Sequence, residues 1–145
     1  MTSEETMAAI LQFKFLRTLP GDLRHQVAGI LEKVAEQRRV PKASVWIHEH
    51  EQSKNMGYLL IAGQVKIEKA ETPEIVCQAP ELLGEMMQFN PMHERTATVS
   101  ALDDCVVMQF PWEAFWAEIQ ENCTEADQKK IRSALEEVAW SHITG

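Results

Sequence analysis

The hydrophobic period of the chain changes twice. Over about residues 1–38, apolar residues recur at helical spacing, as Met7, Ile10, Leu11 and Phe15 and then as Leu23, Val27, Ile30, Leu31 and Val34. "LPGD", from Leu19 to Asp22, separates the two runs, and Asp22 is a suitable N-cap for the second. The far face of that helix carries Arg24, His25, Glu32 and Lys33. Over about residues 39–110 the helical period is lost. Short runs rich in β-branched and aromatic residues replace it: "VPKASVWIHE", "GYLLIAGQVKIEK", "PEIVCQA", "RTATVSA" and "CVVMQF". Pro41, Asn55, Gly57 and Gly63 mark turns, and "LDD" at 102–104 separates the last two strands as a pair. From residue 111 the helical period returns. Pro111 stands in a first turn ahead of Phe115, Trp116 and Ile119, and a last helix over about Glu125–Ser141 carries Ile131, Leu135, Val138 and Trp140. Closely spaced short strands predict a sandwich or barrel rather than a parallel sheet. The fold class is mainly β with flanking helices. With no repeat, low-complexity stretch or internal linker, residues 1–145 are expected to form a single domain.

Composition narrows the function. The chain is 45% hydrophobic and carries a net charge of −8, which disfavours a whole-surface contact with nucleic acid or an anionic membrane. A small anion in a locally positive pocket stays compatible. Cys77, Cys105 and Cys123 are odd in number and lack metal-ligand spacing, so free thiols are expected rather than disulfides or zinc. The acidic start "MTSEETMAAI" lacks the pattern of a signal peptide, and no apolar run approaches the roughly 18 residues of a membrane span. A cytoplasmic protein is expected.

Chemistry concentrates in "LLGEMMQFNPMHERTATVSA", residues 82–101. A short helical turn is expected to begin at Gly84–Glu85, because Met86, Met87 and Phe89 follow before "NP". The first amides of a helix are unpaired and suit a phosphate, and a glycine lets the backbone approach it closely. Arg95 opens the alternation Arg95, Ala97, Val99, Ala101. If Ala97 and Val99 face inward, parity turns Arg95 inward too, where a buried cation requires an anion. Its planar fork would hold phosphate, and Glu85 would accept from a sugar hydroxyl. Together these groups describe a sugar–phosphate pocket. The competing reading is that Glu85 and Arg95 simply pair with each other on the surface.

"GEMMQFNPMHERTATV" resembles the phosphate-binding cassette of cyclic nucleotide-binding domains, the family of the catabolite activator protein and of protein-kinase regulatory subunits. "FLRTLP", "YLLIAGQVKI" and "ALDDCVVMQFPWEAFWAEI" resemble flanking segments of the same family in the same order, over about residues 11–119. The resemblance implies a double-stranded β-helix, a jelly-roll-like barrel over 39–110 with its cassette at 82–99. An N-terminal helical bundle and C-terminal helices at 111–145 would flank it. It implies that the amides of Gly84, Glu85, Met86 and Met87 bind the cyclic phosphate, that Glu85 takes the ribose 2′-hydroxyl, and that Arg95 takes the exocyclic oxygens. Thr96 would touch phosphate or base, and Trp140 is a candidate cap for the base. The ligand would be cAMP or cGMP, with no cofactor, and the C-terminal helix would signal, form a homodimer or dock an effector protein. The chain stops too soon after the barrel for a helix-turn-helix, so no DNA binding is expected; the effector is then a separate protein, or this is one domain of a longer one. Two departures stand out: "EHEQSKNMG" replaces the family's usual glycine turn, and "PELL" precedes the cassette.

Other features weigh less. His48 and His50 at i, i+2 match half of a cupin-type metal set, but the glutamate position holds Met56. His93 reads as an exposed loop residue, and Trp112 and Trp116 as packing. No catalytic constellation is visible. A fold that has lost its nucleotide and serves as a protein-interaction scaffold is the second reading, and a cupin-like metal enzyme the third.

Overall fold

A computed structural model describes residues 2–47, 56–68, 74–83 and 98–144. Three helices open the chain: α1 (Ser3–Leu11), α2 (Lys14–Arg17) and α3 (Gly21–Val34). The first expected helix is therefore two pieces, broken at Gln12–Phe13. Thr2 caps α1 by accepting from the Glu5 amide. Pro20, not Asp22, is the N-cap of α3, and Asp22 sits in its first turn. Arg24 ties α3 to α2, its guanidinium donating to the carbonyls of Leu16, Arg17 and Leu19 at 3.0–3.2 Å. They lie at the C-terminal end of the short helix, where the Leu16 carbonyl also accepts from the Leu19 amide.

Among the described residues eight strands follow: β1 (Glu36–Val40), β2 (Val45–Ile47), β3 (Met56–Ala62), β4 (Gln64–Glu68), β5 (Ile75–Gln78), β6 (Glu81–Leu83), β7 (Thr98–Ala101) and β8 (Cys105–Pro111). They form two antiparallel four-stranded sheets, ordered β1-β8-β3-β6 and β2-β7-β4-β5. The arrangement is the sheet-rich, jelly-roll-like fold with flanking helices expected from the sequence.

Three details differ. The first strand begins at Glu36, before the expected change of period, because "EQRR" is a charged edge strand exposed at all four positions. β7 and β8 are not a pair, since the turn at 102–104 carries the chain from one sheet to the other. Gly57 is not a turn residue but lies within β3, where a Cβ would come within 2.5 Å of the Phe110 ring and 2.9 Å of Trp112.

The core has two layers. Between the sheets, Val40, Tyr58, Leu60, Val65, Ile67, Leu83, Val99, Ala101, Cys105 and Val107 pack together. The other face of the first sheet presents Leu59, Leu82, Met108 and Phe110 to the helices. There α4 (Trp112–Asn122) and α5 (Glu125–Thr144) add Trp112, Phe115, Ile119, Ile131, Leu135 and Val138. Phe110, Trp112 and Phe115 meet at 4.8–5.9 Å between ring centres, in tilted and edge-on geometries. The central strands β3 and β8 thus bury both faces.

Candidate functional site

Strand register fixes where the cassette is anchored. Leu83, the last residue of β6, is level with Tyr58 near the start of β3. Thr98, the first residue of β7, is level with Glu68 at the end of β4. β3 and β4 are joined at their other ends by Gly63, so β6 leaves and β7 returns at one end of the sandwich, opposite that turn. Since β6 and β7 belong to different sheets, the connection 84–97 runs from one sheet to the other at this end. The connections 48–55 and 69–73 join strand ends there as well.

Interior residues nearest these strand ends are Tyr58, Leu83, Ile67, Val99 and the half-buried Ile75. They give the cassette end an apolar floor with one phenol. Tyr58 was not among the expected site residues, and its place on the inner face follows only from packing. In β7 the parity is clear: Val99 and Ala101 are buried, and Thr98 and Ser100 only partly so. Among the described residues of β7 the odd positions face inward, the orientation that the sequence left as a condition.

Of the expected site residues, Gly84, Glu85, Met86, Met87, Arg95 and Thr96 lie outside the described residues, as do His48, His50 and His93. Trp140 lies in α5, near the helix end, with its side chain outside the described part. Among the described residues, no three His, Cys, Asp or Glu side chains are grouped to hold a metal. None of Cys77, Cys105 and Cys123 forms a disulfide. Burial pushes the Cys105 and Cys123 thiols up, away from the reactive thiolate. Among the described residues, no helix is long and apolar enough to cross a membrane.

The helices link the first sheet to α5. Lys33 of α3 donates to Glu118 of α4 at 2.8 Å, and the bond and charge together raise the lysine's pKa. Gln26 donates to the carbonyl of Asn122 at the end of α4. Across the α4–α5 angle, the Arg132 guanidinium lies 4.7 Å from the centre of the Trp116 ring. A groove of about 480 Å³ lies between the end of α2 and α5, lined by Leu19, Pro20, Lys130 and Ala134 among others.

Comparison with known proteins agrees with this architecture. Residues 37–122, more than half of the chain, match the model of the cyclic nucleotide-binding domain family. No curated relative matches the sequence. Among solved structures, the fold is similar to the sensor domain of the transcriptional regulator DNR from Pseudomonas aeruginosa. That likeness has a TM-score of 0.69 and 17% identity, and covers 95% of this chain and 93% of that one. It is also similar to the catabolite activator protein of Thermus thermophilus, with a TM-score of 0.67 and 18% identity over 90% of this chain and 58% of that longer one. The PKAR CBD2 domain with bound Sp-2Cl-cAMPS gives a TM-score of 0.66 and 16% identity, covering 94% of this chain and 90% of that one. On the match over residues 37–122 and this shared fold, the chain belongs to the cyclic nucleotide-binding domain family.

Proposed function

We propose that the chain is a regulatory module that reversibly binds a cyclic nucleotide monophosphate, cAMP or cGMP, at the cassette end of the sandwich. One observation carries the reading: β6 and β7 lie in opposite sheets, yet hand over to the cassette at the same end, beside the apolar floor. Val99 and Ala101 face inward; in this reading the same alternation continues back through Ala97 to Arg95. An inward arginine at such a rim is costly to desolvate unless an anion meets it. In this reading Arg95 grips the exocyclic phosphate oxygens. The amides of Gly84, Glu85, Met86 and Met87 hold the remaining charge, and Glu85 accepts from the ribose 2′-hydroxyl. Thr96 lies beside the phosphate or base, and Trp140 covers the base.

Binding energy reaches the output through the first sheet. β3 and β8 bury one face in the core between the sheets and the other against the helices, so in this reading a ligand that favours one arrangement of the cassette biases α5. The surface of α5 then serves a second copy or a separate effector protein in the cytosol. No step of chemistry is assigned to the chain; its work is binding.

Calorimetric titration with cAMP and cGMP, run beside Arg95→Ala, tests the proposal. Saturable binding is expected, with the variant weakened about a hundredfold or more, since it loses two charge-assisted hydrogen bonds. Failure of folded protein to bind either nucleotide would replace this reading with the scaffold one.

A further inference from the structure

We propose that the free edge of β1 is a self-association surface, through which two copies of this chain join their first sheets. β1 pairs along its whole length with β8 on one side and, among the described residues, forms the edge of its sheet on the other. Glu36, Gln37, Arg38 and Arg39 are all exposed. Among the described residues none of Glu36, Arg38 and Arg39 takes part in an ion pair, and the one side-chain bond of Arg38 is a long 3.5 Å contact to Gln109.

Charges on an edge strand usually block pairing with another chain. Here their order does not. Residues directly opposite in an antiparallel pair share a face, so a two-fold pair must be centred on a residue, and the centre decides which charges meet. Centred on Arg38, the pair sets two arginines against each other. Centred on Gln37, it sets Glu36 of each copy against Arg38 of the other and stacks the two Gln37 amides. Arg39 then faces Ala35, so no like charges oppose one another. The strand is complementary to itself in this register.

A second feature lies on the same side of the molecule. β2, the edge strand of the other sheet, follows β1 after residues 41–44, and its Val45 is 44% exposed. Two copies joined at β1 would bring their β2 edges alongside and cover this side chain. The surface is distinct from α5, so the proposal stands or falls independently of nucleotide binding.

Sedimentation of the full chain over a concentration series, without nucleotide, tests the idea with three variants. Reversible dimerisation is expected, weakened about tenfold or more by Glu36→Arg or by Arg38→Glu, since each reversal creates two like-charge contacts. The double variant Glu36→Arg/Arg38→Glu restores the opposite-charge pairs and the dimer. All three changes are at exposed positions, and circular dichroism checks that each variant is folded. A monomer at every concentration overturns the proposal. So does a dimer indifferent to both single reversals, which would use another face such as α5. Single variants that weaken the dimer without rescue by the double variant overturn the Gln37-centred register and, with it, the proposal.

Discussion

At the Gly63 end of the sandwich, short turns at 41–44, 63, 79–80 and 102–104 each carry the chain between sheets; at the opposite end, the connections 48–55, 69–73 and 84–97 are longer. The short turns are laced together. Ala43 donates to the carbonyl of Ala101, Ala101 to that of Ser44, Ala79 to that of Gly63 and Leu102 to that of Gln64, at 2.8–3.0 Å. The Lys42 amide adds a bond to the Asp104 carboxylate at 2.9 Å. That end spends its polar groups on itself. The cassette end offers an apolar floor and the segment that holds Glu85 and Arg95. On the proposed function, one fold separates the part that sets the geometry from the part that meets a ligand.

The separation can be broken from either side. The largest expected effect is at the cassette end: Arg95→Ala lowers nucleotide affinity by the hundredfold or more given above and leaves the melting temperature nearly unchanged. If that variant unfolds the domain instead, the two ends are not independent. At the other end Gly63 has φ +100°, and a Cβ there would lie 2.7 Å from Cys105 Sγ and 3.0 Å from the Asp104 carbonyl oxygen. Gly63→Ala should cost about 3 kcal/mol in urea unfolding, combining left-handed backbone strain with overpacking. The fraction that stays folded should bind nucleotide normally. Gly57→Ala sharpens the comparison, because Gly57 lies in β3 near the cassette end and faces Phe110 and Trp112. Overpacking there should cost about 2 kcal/mol. A shift in affinity beyond that loss of stability would show that the helical core transmits strain to the site.

The smallest effect is a pH dependence. Burial raises the Cys105 thiol above its ordinary 9.0, so its stabilising contribution is complete below that value and is lost as pH rises through the higher folded value. Urea midpoints should fall above about pH 9, and Cys105→Ala should remove that part of the slope.

How much was legible beforehand depends on the element. α3 was, because Leu23, Val27, Ile30 and Leu31 keep one helical face and all are buried. The existence of a strand block and its turn at Gly63 were legible too, but not the sheet to which each strand belongs. Residues 84–97 of the expected cassette lie outside the described residues. β1 was missed at its start because an exposed edge strand needs no apolar alternation, and "EQRR" offers none. The run Gly57–Leu60 hid its own parity, since every residue in it is buried.

The sequence by itself determined the succession of helical, strand and helical blocks and the turn at Gly63, because these rest on periods of two or 3.6 residues and on local turn chemistry. Tertiary structure decided the rest. Whether Tyr58 faces the space between the sheets while Leu59 faces the helices depends on where α3, α4 and α5 lie, and those packings join residues far apart in the chain. The same holds for β7 and β8, neighbours in sequence that sit in different sheets. A run of apolar residues states only that burial is favourable; which layer does the burying is a property of the assembled fold.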